Sequence, residues 1–75
     1  MKELIEYIAR SIVNKPEAVV VTEERTEEGV LLKLQVDQED MGRVIGKQGR
    51  VAQAMRTLLK VIAVKEGVRV NLEIG

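Results

Sequence analysis

The chain has 75 residues, 45% hydrophobic and 32% charged, which suits one folded domain and excludes both a disordered chain and a pair of cores. Without cysteine it can build neither a disulfide framework nor a thiolate metal site. Its formal net charge is zero, yet residues 1–40 carry five bases against ten acids and residues 41–75 seven against two, with no acid from Met41 to Lys65; the neutral total conceals a basic stretch.

In chain order, residues 2–13 set Leu4, Ile5, Ile8, Ala9 and Ile12 at three- and four-residue spacings, with Lys2, Glu3, Glu6 and Arg10 opposite, which predicts an amphipathic helix. Asn14 suits the left-handed conformation that ends helices, and Pro16 bars continuation. Acids inside this opening pattern make it neither a signal peptide nor a membrane span, so the cytoplasm is the expected location. A β-branched run, AVVVTEE (18–24), and an alternating one, VLLKLQV (30–36), follow as strands and should pair antiparallel across the polar connection RTEEG. In the second run Val30, Leu32, Leu34 and Val36 share a face.

Asp37 is a good N-cap, with Asp40 in the first turn near the positive end of the helix dipole, so a short helix should begin at Gln38 with Met41, Val44 and Ile45 on its apolar side. The glycines of GKQG (46–49) interrupt it. A longer helix then puts Val51, Met55, Leu58 and Ile62 on one face, flanked by Ala52, Leu59 and Ala63, and closes at Gly67. Residues 68–74 alternate Val68, Val70, Leu72 and Ile74 against Arg69, Asn71 and Glu73, as a strand with one buried face does. The order α-β-β-α-α-β, with a two-helix crossover suited to a parallel right-handed return, predicts an α+β two-layer domain with three helices on one face of a three-stranded mixed sheet.

Gly46 and Gly49 stand at the helix–helix corner, where the absence of a Cβ permits positive φ and close approach of another backbone. The next helix starts there, so its free N–H groups and positive dipole end share the corner with Lys47 and Arg50, an arrangement fit to hold an anionic backbone. Other glycine motifs fit worse. The nucleotide-hydrolase loop G-x-x-x-x-G-K followed by serine or threonine fails because Gly42 and Gly46 are one residue too close and Gln48 replaces the hydroxyl. The dinucleotide pattern G-x-G-x-x-G fails at Val44, and its strand-to-helix context is missing. A lone G-x-x-G is a weak signal, since glycines commonly join helices without binding anything.

With Ile45 before it and Arg50 after it, VIGKQG between two helices resembles the G-x-x-G loop of KH domains, which clamps the backbone of about four single-stranded nucleotides. The element order resembles the type II form of that fold. Through MKELIEYIARSIV, EDMGRVIGKQGR, RTLLK and VNLEI the resemblance covers nearly the whole chain and points to the KhpA family of small bacterial single-KH-domain RNA-binding proteins. It implies a single KH domain over residues 1–75. It further implies a cytoplasmic protein that binds single-stranded RNA and acts as an RNA chaperone, as a homodimer or with a larger KH-containing partner, KhpB. In some bacteria the family is linked to cell shape and envelope synthesis.

Carried onto this chain, the loop is Gly46, Lys47, Gln48 and Gly49, and Ile45 is the preceding apolar residue. Gly42 would let RNA approach the short helix, Arg43 and Arg50 would flank its path, and bases would splay across a groove between the two middle helices and the last strand. Val44 reads as core and Ile45 as core or groove equally. Arg56 and Lys60, four apart on the long helix, read as a solvated face; Arg69 stays open, as does whether Leu31 and the valines form an interface or core. Tyr7 is the only aromatic residue, so stacking platforms are missing and binding should be sequence-tolerant and salt-sensitive. No cofactor, metal or small-molecule substrate is expected: histidine and cysteine are absent, no ligand spacing occurs, and Glu23, Glu24, Glu27 and Glu28 lie in solvated contexts. The alternative is a KH-fold dimerisation adaptor with RNA binding secondary.

Overall fold

A computed structural model describes residues 1–75 as α1 (Lys2–Ile12), β1 (Val20–Thr26), β2 (Gly29–Gln35), α2 (Met41–Ile45), α3 (Arg50–Glu66) and β3 (Val70–Ile74). Short 3-10 turns lie at Pro16–Ala18, Gln38–Asp40 and Lys47–Gly49. The sheet order is β1-β2-β3, with β1 and β2 antiparallel (Thr26 opposite Gly29) and β2 and β3 parallel (Val30 opposite Val70). The predicted α+β architecture is thus the observed one.

Alternation in β2 decides which face is covered. Val30, Leu32 and Leu34 join Val21 and Leu72 against Ile5 and Ala9 of α1, Val44 of α2, and Met55 and Leu59 of α3, in one buried cluster. The opposite face carries Thr22, Glu24, Lys33, Gln35, Asn71 and Glu73, with Lys33 and Glu24 paired at 3.4 Å. On α1, Glu6 pairs with Lys2 at 3.8 Å and with Arg10 at 3.3 Å, supporting the exposed side of the helix.

Several boundaries differ from expectation. α1 ends in extended backbone at Val13 and not in a left-handed Asn14; the N–H groups of Asn14 and Lys15 find their acceptor on Asp40, so no left-handed residue is needed to turn the chain. β1 begins at Val20 because Pro16–Ala18 closes a 3-10 turn. It runs on to Thr26, leaving only Glu27 and Glu28 as the hairpin link rather than the whole of RTEEG. β3 starts at Val70, two residues later than its pattern.

Asp37 does cap, its Oδ1 accepting the Glu39 N–H at 2.9 Å, but the first turn is 3-10 and α geometry begins only at Met41. The buried face of α3 is Ala52, Met55, Leu59 and Ala63. Leu58, expected inside, is 46% exposed while Leu59 is 1% exposed. Apolar residues lie on several sides of this helix, so its period allows more than one inward face and contact with the sheet selects among them. No helix is long and apolar enough to cross a membrane.

Candidate nucleic-acid interface

α2 reaches the corner with Val44 fully buried and Ile45 exposed, which places Ile45 at the surface beside the loop and Val44 in the core. The helix is closed by the Gly46 N–H bonding to the Gly42 carbonyl at 2.9 Å. Gly46 then takes φ 77° and ψ 172°, Gln48 φ 58°, and Gly49 φ 73°, so three of the four loop residues have positive φ. For Gln48 this is the left-handed region that side chains disfavour, a strain that no residue pattern foretold and one that clusters at binding sites.

The Gly49 N–H is spent on the Gly46 carbonyl at 3.1 Å and the Arg50 N–H on Lys47. No turn, loop or cap hydrogen bond uses the N–H of Lys47 or Gln48. α3 begins with no side-chain cap and no acid in its first turn, so its positive dipole end is not neutralised by the protein. Lys47, Gln48, Arg43 and Arg50 are all exposed around this corner, and the Arg50 Nη2 donates to Gln48 Oε1 at 3.3 Å. Gly42, exposed on α2 with open space where a Cβ would stand, leaves the approach to the helix unobstructed. The eight residues singled out from the sequence, Gly42, Arg43, Ile45, Gly46, Lys47, Gln48, Gly49 and Arg50, therefore occupy one continuous segment of α2, the corner and the start of α3.

Two placements were not legible in the sequence. Arg56, read as part of a solvated face, is half-buried and donates from Nη2 to the carbonyl of Leu72 on the free edge of β3 at 3.3 Å. It lines shallow clefts shared by α3 with β3 and with the ends of β2 and β3, and Lys60 and Asn71 border the first of these further along. The loop and α2 line none of these clefts, which lie between α3 and the β3 edge. Leu31 is half-buried; exposed apolar residues cluster instead at Leu58, Val61 and Val64 on α3, with Val68 just beyond, while Tyr7, Val20 and Ile45 are exposed elsewhere.

The other is Asp40, the one buried charged residue at 1% exposure. Its Oδ1 accepts the Asn14 N–H at 3.1 Å and its Oδ2 the Lys15 N–H at 3.0 Å, fastening the start of α2 to the turn after α1. The Lys15 ammonium bridges Glu39 at 3.2 Å and Asp37 at 3.6 Å. The hydrogen bond to Glu39, then the charge of Asp37, hold that ammonium above its ordinary pKa.

The family model described as "KhpA/KhpB, KH domain" matches residues 2–74. The protein named RNA-binding protein KhpA of Clostridium perfringens is 57% identical over 99% of this chain and 99% of its own length. The proteins of that name in Listeria monocytogenes and Aquifex aeolicus are 50% and 46% identical, each over 99% of this chain and over 97% and 94% of their own lengths. No solved structure gives a significant match. A match that spans both middle helices, the glycine corner and all three strands, with relatives aligned nearly end to end, shows that the chain belongs to the KhpA/KhpB family of KH domains.

Proposed function

We propose that this chain is a cytoplasmic, non-catalytic binder of single-stranded RNA that holds the backbone at Gly46–Gly49. The observation that carries this reading is the corner itself: positive-φ backbone leaves the Lys47 and Gln48 N–H groups without a turn or loop acceptor, beside two arginines and the uncapped start of α3. The relatives are named RNA-binding proteins, which supports RNA as the anion. Main-chain donors, Lys47, Arg43 and Arg50 hold phosphates, while bases pack on Ile45 and along the α3–β3 cleft. With no aromatic platform the hold is weak and sequence-tolerant, as an RNA chaperone requires.

The test is an NMR titration of isotope-labelled protein with a short degenerate single-stranded RNA at two salt concentrations. Shifts centred on Gly46–Arg50 that fade with salt support the clamp. A folded Lys47→Asp, Gln48→Asp variant that binds RNA as well as the parent removes it.

A second reading, the family's dimer, is favoured by the exposed stripe Leu58, Val61 and Val64 on α3, continued by Val68. A two-fold axis across this stripe sets it against itself, and a second copy would bring a second loop to the same RNA. The larger KH-containing partner, KhpB, would compete for that stripe. Control of cell shape would follow from which RNAs the pair holds.

A further inference from the structure

Asp40 is the one buried charged group that the clamp does not use. Its two oxygens are fixed by the main-chain N–H groups of Asn14 and Lys15, which orient the carboxylate without cancelling its charge. The Lys15 ammonium is engaged by Asp37 and Glu39. The side-chain cation that pairs with Asp40 is Arg43, one turn on, with Nε 3.8 Å from Oδ1. The terminal guanidinium nitrogens of Arg43 make no ion pair or hydrogen bond within the protein, and the side chain is exposed on the helix that leads into the glycine corner.

We propose that Asp40 is a positioning residue for RNA: its buried charge draws the Nε edge of Arg43 toward itself as an ion pair, which biases the two terminal nitrogens outward for one phosphate beside the Gly46–Gly49 loop. A guanidinium presents a planar set of donors, and attraction of one edge to an immobile anion leaves the other edge for a bidentate phosphate contact. An exposed arginine otherwise loses rotamer freedom on binding, and a buried anchor removes part of that cost beforehand. This inference rests on the RNA-clamp reading and adds to it a specific phosphate contact and the residue that prepares it.

The experiment measures binding of a fluorescently labelled short degenerate single-stranded RNA across a salt series, for the parent, Asp40→Asn, Arg43→Gln, the double variant, Arg43→Lys, and the Lys47→Asp, Gln48→Asp loop variant. Arg43→Gln is expected to weaken binding about fivefold and to lower the salt slope by about 0.7, the loss of one phosphate contact on a single strand. Asp40→Asn should reproduce most of that affinity loss, and the double variant should bind no worse than Arg43→Gln alone, because the two act as one unit. A purely structural Asp40 gives additive losses instead, and that result overturns the proposal. If Asp40→Asn fails to fold, Arg43→Lys decides: it leaves Asp40 intact and keeps the charge but removes the fork, so a fivefold loss supports the proposal and parental affinity overturns it. Normal binding by Arg43→Gln with weakened binding by the loop variant overturns the Arg43 contact and leaves the clamp standing; parental binding by the loop variant overturns the clamp itself.

Discussion

A Cβ built on Gly46 would stand 2.5 Å from Cγ2 of Val51 and 2.9 Å from its main-chain nitrogen. The corner is therefore closed by direct contact between its first glycine and the opening turn of α3, whereas Gly49, also at positive φ, has nothing within 4 Å of its missing Cβ. The two glycines of the motif are held by different constraints.

Gly46→Ala should accordingly cost more than Gly49→Ala. The first adds a steric clash to a disfavoured φ and should lose about 2–3 kcal/mol; the second carries only the left-handed penalty, about 1 kcal/mol. Urea melts of the two variants check the order, and equal losses would mean that α3 yields freely at Val51.

Asp40→Ala removes the acceptor for two main-chain N–H groups and should destabilise by about 2–4 kcal/mol. For a domain of this size that is a large share of total stability. Asp40→Asn keeps one acceptor oxygen and should lose less. Denaturant titrations compare them, and a small loss for Asp40→Ala would show that water replaces the carboxylate without penalty.

Leu59→Ala should cost about 2–4 kcal/mol through lost burial and a residual cavity, and Leu58→Ala less than about 0.5 kcal/mol in the monomer. The pair tests the face of α3 directly, because the residues are adjacent and differ only in direction. Leu58→Glu with Val64→Glu should leave dilute protein folded and abolish any concentration-dependent dimer, read by sedimentation.

Lys15 gives a pH signature. Its folded-state pKa lies above the ordinary 10.5, so the stabilisation it brings through Glu39 and Asp37 is complete below that value and is lost as pH rises through the folded value. Thermal midpoints of the parent and Lys15→Met should differ at about pH 8 and converge in strong alkali. A gap that persists there would assign the effect to packing of the lysine stem.

The sequence was most informative where one face of an element is buried and the other wet. Val30, Leu32 and Leu34 alternate with Leu31, Lys33 and Gln35, and β2 follows that pattern residue by residue. In α3, Val51, Ala52, Met55, Leu58, Leu59, Val61, Ile62, Ala63 and Val64 leave few polar positions to mark the wet side, so the choice of Leu59 over Leu58 was made by the sheet. The corner was legible because glycines and an acid-free surround are local signals. Asp40 and Arg56 were not, since their partners are 25 to 26 residues away at Lys15 and Asn14, and 16 residues away at Leu72. A charged residue that serves the main chain of a distant segment carries no mark of it in its own neighbourhood.

The segregation of charge along the chain becomes segregation across the sheet. β1 and its hairpin bring Glu23, Glu24, Glu27 and Glu28 to one edge, while α3 brings Arg56 and Lys60 toward β3 at the other. A molecule with no net charge feels little pull toward a polyanion from afar, but this one is a permanent electric dipole and feels a torque. Near any polyanion such a field turns the molecule before it draws it in, with the basic side toward the negative charge.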